Sequence, residues 1–271
     1  MNLLILEAHE LDADGRVHLT DRRADHLNQV LRVDAGAEVR AGVLGGGVGT
    51  ATVERVEPTG RRTAAITVQV KIPPTTAERP ELDLIVALPR PAVLHRVLQH
   101  AATLGVGEIH LINAWRVEKS YFQSPSLEPE AVRKHLWLGL EQGRRTWLPE
   151  VHIHRRLVPF VEGLGPPPPD VRRLLAHPAA VPIEDAVPGG ADAPWPERLQ
   201  LAIGPEGGWR DRELETFAGA GFAAVALGDW ILRSEAAVTA AVAQIALLRR
   251  LRSPERPAPQ DRARTTGAKP L

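Results

Sequence analysis

Three short stretches carry residue types at spacings able to do chemistry. The first is LAIGPEGGWRDRELE, residues 201–215. An apolar run, Leu201-Ala202-Ile203, stops at Gly204-Pro205, and Glu206, Gly207, Gly208 and Trp209 lead into a segment of helical character. Glycine at three of five positions is more than a routine strand-to-helix turn needs. It lets backbone N–H and C=O groups come close to a ligand without side-chain obstruction. In a parallel sheet, ligands bind beyond the carboxyl ends of the strands, and this loop falls there. The stretch matches neither the G-x-G-x-x-G dinucleotide fingerprint nor the G-x-x-x-x-G-K-[ST] phosphate loop. The second stretch is LGDWILRSEAAV, 227–238. A strand ends at Gly228, Asp229-Trp230 turns the chain, and Arg233-Ser234-Glu235 opens the last helix, with Ser234 suited to the N-cap. Arg233 stands just before a positive helix end, where a cation is unfavourable. A residue held against that preference is a candidate for binding an anion or a polar ligand; the alternative is a surface arginine paired with Glu235. The third is LLAHP, 174–178, a strand ending at His177-Pro178, where His177 taken alone reads as a loop histidine.

Strands and helices alternate along the second part of the chain, with these stretches at their junctions. LDLIVALP is a near-continuous apolar run, as in a strand buried on both faces. AVLHRVLQHAATLGV is an amphipathic helix ending near Gly105, EIHLINA the next strand and EPEAVRKHLWLGLEQG another helix. EVHIH, VRRLLAH, RLQLAIG and AAVALG are further short strands, with helices between several of them. Alternating units of this kind build an open parallel sheet. The chain then enters SEAAVTAAVAQIALLRRL, an Ala/Leu-rich helix with cations in its last turn, favourable against the dipole. The first ~70 residues differ. GRVHLT, GTATVERVE and RRTAAITVQVKI alternate apolar and polar residues as half-buried strands do, and VLGGGVG is turn chemistry. DRRADHLNQVLRV is one helix, with Asp25 as a candidate N-cap. Short strands with one helix suggest a small barrel. The expected division is a barrel over 1–73, a Pro-rich linker over 74–80, an α/β domain over 81–252 and a disordered Pro-, Arg- and Thr-rich tail over 253–271.

Composition bounds the partners. The chain has 271 residues, 44% hydrophobic and 24% charged, and a formal net charge of zero. There is no global charge to attract nucleic acid, so any such surface must be a local patch. The 33 basic residues include four lysines, which leaves 29 arginines. A GC-rich genome explains most of that excess, although arginine also suits phosphate and base recognition. The absence of cysteine excludes disulfides, thiolate metal sites and cysteine nucleophiles. The N-terminus lacks a basic n-region and no apolar stretch reaches the roughly 20 residues of a membrane span, so a cytoplasmic protein is expected.

Taken together, AHP, IGPEGG and LGDWILRSEAA at three successive strand ends resemble the SPOUT class of S-adenosylmethionine-dependent RNA methyltransferases. Within that class the chain is similar to the family that methylates N3 of uridine 1498 in 16S ribosomal RNA, whose members show I-G-P-E-G-G followed by L-G-x-R-I-L-R-T-E-T-A. Here these are Ile203–Gly208 and Leu227–Ala237. HLNQVLRVDAGAEVRAGVLGGG resembles that family's PUA-like N-terminal barrel, and LGVGEIHLINAWRVEKSYF and EQGRRTWLPEV resemble its other stretches. Asp229-Trp230, Ser234 and Ala236 depart from the pattern, as do Arg144 in place of a usual Gly and His100 and Thr103 in place of Lys and Glu.

The resemblance implies a SPOUT trefoil-knot α/β domain after a PUA-like barrel. Its three loops would form an S-adenosylmethionine pocket from Ala176, His177, Pro178, Ile203, Gly204, Pro205, Gly207, Gly208, Leu227, Gly228, Ile231 and Leu232. Small residues would be needed where the loops pass over one another. The reaction it implies is methyl transfer to N3 of a uridine whose Watson–Crick edge is unpaired or flipped out. The N3 proton must leave, so a base or a donor that stabilises the developing charge is useful. Arg233 is the candidate stabiliser, and Glu206 or Glu235 would accept the proton or orient Arg233. No metal is required. The partners implied are 16S rRNA in the 30S subunit and a second copy of the chain in a homodimer, with helix 235–251 a candidate interface. Arg22, Arg23, Arg32, Arg116, Lys119, Arg144 and Arg145 are the candidate RNA contacts, and Trp115, Tyr121 and Phe122 would stack on a base or pack in the core. Two rivals stay open: a SPOUT enzyme for another RNA nucleotide, and a non-catalytic RNA-binding or assembly factor.

Overall fold

The computed structural model describes residues 1–60, 63–187 and 195–252; the tail expected over 253–271 lies outside them. The N-terminal part is a five-stranded sheet of β1 (Leu4–Leu6), β2 (Arg16–Leu19), β3 (Glu38–Val43), β4 (Val48–Pro58) and β5 (Ala64–Lys71). Its order is β1-β3-β4-β5-β2, with β1–β3 parallel and the other pairs antiparallel. The expected small barrel thus takes the form of a sheet folded round its own apolar core, which includes Leu4, Leu6, Val17, Leu19, Val53, Ile66 and Val68. The helix α1 (Arg22–His26) starts earlier than expected. Asp21, not Asp25, is its N-cap, accepting a hydrogen bond from the Arg23 N–H, and a π-helical turn over Leu27–Leu31 continues it.

The remaining strands are β6 (Leu82–Ala87), β7 (Glu108–Ile112), β8 (Glu150–His154), β9 (Val171–Pro182), β10 (Arg198–Ile203) and β11 (Phe222–Ala226). They form one parallel sheet in the order β11-β9-β10-β6-β7-β8. The run read as buried on both faces, β6, lies inside that sheet and every one of its residues is buried. Helix α2 (Pro91–Leu104) begins with Pro91, whose fixed φ suits the first turn. It ends at Gly105 in the left-handed conformation and buries Val93, Leu94, Val97, Leu98, Ala101 and Ala102 along one stripe. Helix α3 (Pro129–Gly143) packs on it. The short α4 (Leu157–Gly163) and α5 (Ile183–Ala186) follow, then α6 (Asp211–Gly219) and α7 (Ser234–Arg252).

Strand β1 binds the two parts together through its period of two. Leu4 and Leu6 point into the N-terminal core, whereas Leu3 and Ile5 join the core of the α/β part. The segment between β5 and β6, expected as a linker, is also held. Thr76 pairs with Gly46, and the Ala77 N–H donates to the Gly45 carbonyl at 2.9 Å. No helix among the described residues is long and apolar enough to cross a membrane.

Candidate active site

Three loops gather at one end of the parallel sheet. The first corrects the expectation that the strand stops at His177. Arg173–Leu175 pair with Phe222–Ala224, and then Val181 and Pro182 pair with Val225 and Ala226. The ladder therefore resumes after Ala176–Ala180, which bulge out of β9. The second loop runs from Gly204 to Arg210, between β10 and α6, and the third from Leu227 to Arg233, between β11 and α7. Together they enclose a cavity of about 410 Å³. Ala176, His177 and Pro178 line it, with Ile203, Gly204, Pro205, Gly207 and Gly208 from the second loop and Leu227, Gly228, Ile231 and Leu232 from the third. Trp209, Trp230 and Arg116 also line it, and none of these was singled out for that role from the sequence.

The two tryptophans explain why glycine is needed. Trp209 is buried, its indole lies against Gly204 so that a Cβ there would come within 3.0 Å of the ring, and its N–H donates to the Ala176 carbonyl at 3.3 Å. It thereby ties the first loop to the second, and its ring meets the edge of Phe217 at 5.0 Å. Gly228 has φ +134°, a conformation open to glycine alone, and the Trp230 ring occupies the space a side chain would fill. The third loop is anchored to α7 by Gln244, whose amide donates to the Leu227 carbonyl at 2.8 Å. Arg116, arriving from the loop after β7, donates to the Gly207 carbonyl. The result is a pocket of apolar side chains and backbone edges with few charges, suited to a ligand that is flat and apolar in part and recognised by main-chain groups.

The three candidate catalytic residues sit differently around it. Glu206 lines the cavity and faces Arg90 at 3.3 Å. Arg233 lies between the lining residues Leu232 and Ser234 with its side chain exposed. Its carbonyl accepts from the Ala237 N–H at 2.8 Å, so Arg233, not Ser234, takes the cap position and Ser234 is buried as the first helical residue. Glu235 is not part of the cavity wall; it pairs with Arg96 at 3.1 Å. Burial raises the Glu235 pKa, but its own backbone hydrogen bond and the Arg96 guanidinium outweigh this and hold it below the usual carboxylate range. Of the two carboxylates, Glu206 is the one at the pocket.

The expected RNA contacts divide in the same way. Arg23 is buried, held by Glu10, Asp21 and the Ile5 carbonyl, so it braces the N-terminal sheet and is not presented to a ligand. Arg22 forms a two-pronged pair with the buried Glu141 at 2.9 and 3.0 Å and ties α1 to α3. Arg145 packs its guanidinium on Gly105 and donates to the Thr103 carbonyl at 3.2 Å. Arg32 and Arg144 are exposed, both with left-handed backbone, φ +51° and +54°. His100 bonds Thr239 of α7 at 3.0 Å, and the Thr103 hydroxyl donates to the Gln99 and Gly139 carbonyls, so these two departures from the family pattern serve helix packing. Arg116 and Lys119 line a second, larger cleft beside the first cavity. Of the aromatic candidates, Phe122 is buried and Tyr121 packs against the core, while Trp115 is 70% exposed.

Comparisons with known proteins agree with this architecture. A family model described as an RNA methyltransferase domain matches residues 77–246. Ribosomal RNA small subunit methyltransferase E of Treponema pallidum is 30% identical over 250 residues, 90% of each chain. Its Synechocystis namesake is 27% identical over 245 residues, 89% of this chain and 76% of the relative. The crystal structure of the Neisseria gonorrhoeae methyltransferase E bound to S-adenosyl methionine superposes with a TM-score of 0.67 at 25% identity, covering 92% of this chain and 98% of that one. The fold is that of a SPOUT α/β domain preceded by a PUA-like domain. With the pocket-forming loops inside the matched segment, the chain belongs to the RNA methyltransferase family that includes ribosomal RNA small subunit methyltransferase E.

Proposed function

We propose that the protein transfers a methyl group from S-adenosylmethionine to N3 of a uridine in 16S rRNA, the position equivalent to the family target uridine 1498. It does so on the assembled 30S subunit, as a homodimer in the cytoplasm. The observation that carries this reading is the meeting of all three motif-bearing loops around one cavity. The donor set fits the cofactor. Ile203, Leu227, Ile231 and Leu232 offer apolar faces for an adenine ring, and Gly204 and Gly208 allow main-chain groups to reach the ribose and amino-acid ends. When bound, S-adenosylmethionine supplies a methyl group on a sulfonium, which is already a good leaving group.

The chain's own part is to hold the uridine edge and manage its charge. As the N3 proton departs, negative charge spreads onto the uracil oxygens, and the exposed Arg233 guanidinium at the rim is the group to balance it. Glu206, which lines the cavity and faces Arg90 at 3.3 Å, is the candidate carboxylate to receive the proton. Glu235 acts at one remove, through Arg233. Most of the acceleration then comes from positioning. The homodimer is supported by exposed apolar side chains beside the loops and on α7: Val181, Trp230, Ile231, Leu247 and Leu251. Ile231 lines the cavity and yet is 90% exposed, as expected of a wall that a second subunit completes.

Incubation with methyl-labelled S-adenosylmethionine and small ribosomal subunits lacking base methylation tests the proposal. Label entering 16S rRNA, with saturable cofactor binding by calorimetry, is the expected result. Cofactor binding with label only in another RNA would move the substrate elsewhere, and absence of cofactor binding would favour a non-catalytic assembly factor.

A further inference from the structure

Beside the 410 Å³ cavity lies a cleft of about 1250 Å³, and the two share Arg116 and Trp209 as common walls. Five cations line the cleft: Arg116 and Lys119 from the segment after β7, Arg156 just before α4, and Arg210 and Arg212 at the start of α6. Two carboxylates, Asp211 and Glu213, line it as well. Glu213 is buried and already satisfied, accepting from the Trp115 N–H at 2.7 Å and the Arg210 N–H at 2.8 Å. In a chain with zero formal net charge, this is a local basic surface. Its other feature is Trp115, an indole 70% exposed with the Arg210 guanidinium 4.6 Å from its ring centroid. Glu213 fixes the backbone under both residues, so the pair is held in place from below.

A large exposed indole beside a cationic cleft is poorly matched to a duplex, whose bases are stacked away. It is well matched to an unpaired strand, whose bases can lie on an aromatic face or a guanidinium plane while the phosphates meet Lys and Arg. We infer that this cleft seats an unpaired RNA segment adjoining the target nucleotide, with one of its bases stacked on the Trp115–Arg210 platform. The inference rests on the function proposed above and names where the substrate strand runs. The shared Arg116 wall would then set the segment beside the methyl-donor cavity.

The test uses the full chain and a short fluorescein-labelled single-stranded RNA, with a blunt duplex of the same length as control. Affinity is read by anisotropy across a salt series, and cofactor affinity by calorimetry. Trp115→Ala should weaken single-strand binding by roughly 5- to 150-fold, the loss of one base stack. Trp115→Phe should recover most of it, and the cofactor affinity of both variants should stay at the wild-type value. Lys119→Ala combined with Arg212→Ala should lower the slope of log affinity against log salt by about 1.4, two phosphate contacts on a single strand. Unchanged single-strand affinity and salt slope in these variants, with cofactor binding and methyl transfer intact, would overturn the inference alone. Tighter binding of the duplex than of the single strand would overturn it too. Absence of both cofactor binding and methyl transfer in the wild-type protein would instead bring down the function it rests on.

Discussion

Gly204→Ala puts the construction of the pocket to a quantitative trial. The added methyl group would stand 3.0 Å from two atoms of the Trp209 indole and 3.3 Å from a third, well inside the ~3.5–4.0 Å at which carbon atoms attract one another. Trp209 has little freedom to retreat. It is buried, packed edge-on against Phe217 at 5.0 Å, and hydrogen-bonded to Ala176 at 3.3 Å. A shift of about half an ångström breaks that bond, worth about 1 kcal/mol, and overpacking adds about 1–3 kcal/mol. Because Trp209 joins the first loop to the second, part of this loss should appear in cofactor affinity as a drop of roughly tenfold. The remainder should appear as a lower urea midpoint at unchanged m. The same substitution in a Trp209→Phe background, where the ring is smaller and lacks the N–H, should be less harmful, with a coupling of at least about 0.5 kcal/mol. A Gly204→Ala protein with wild-type midpoint and cofactor affinity, or strict additivity with Trp209→Phe, would refute this account of the loops.

Two further perturbations follow from the same structure. Burial, followed by the neighbouring His152 and His154, pushes the His110 pKa down from 6.5 to about 4. Between those two values the unfolded chain binds the proton and the folded one does not, so this contribution is present at neutral pH and is lost as pH falls from 6.5 towards 4. The loss should approach about 3 kcal/mol, and His110→Phe should flatten the stability difference measured by urea unfolding at pH 7 and pH 4.5. Arg144 ends α3 at φ +54°, where an L side chain is disfavoured by about 1–2 kcal/mol. Arg144→Gly should therefore raise the thermal midpoint by a few degrees in differential scanning calorimetry, roughly 2–4 °C.

Much of the site was legible because its motifs are local. Gly204–Gly208 signals a close-approach loop through residue type, whereas the place of Leu227–Leu232 in the same pocket follows from the family resemblance; the segments expected around the cofactor come together at one cavity. What the sequence hid depends on contacts between distant segments. No local pattern says that Trp209 lies over Gly204 and reaches Ala176, or that Arg116 reaches Gly207. The doublet Arg22-Arg23 looks like solvated surface until Glu141, Glu10 and Asp21 are placed against it. His177-Pro178 reads as a strand end because proline interrupts a ladder, yet β9 resumes beyond a bulge that the pairing with β11 alone reveals. Arg144 shows the reverse: the glycine usual there in the family answers a left-handed backbone that a single sequence does not display.

The reaction proposed for this protein is methyl transfer to a defined uridine edge, with Arg233 balancing the charge. Nucleoside mass spectrometry of 16S rRNA from small subunits treated with the protein and S-adenosylmethionine tests it most directly. The expected product is N3-methyluridine at one position near the 3′ end, strongly reduced by Arg233→Ala at unchanged cofactor affinity. A methyl group on any other atom or nucleotide, or an undiminished product with Arg233→Ala, would contradict it.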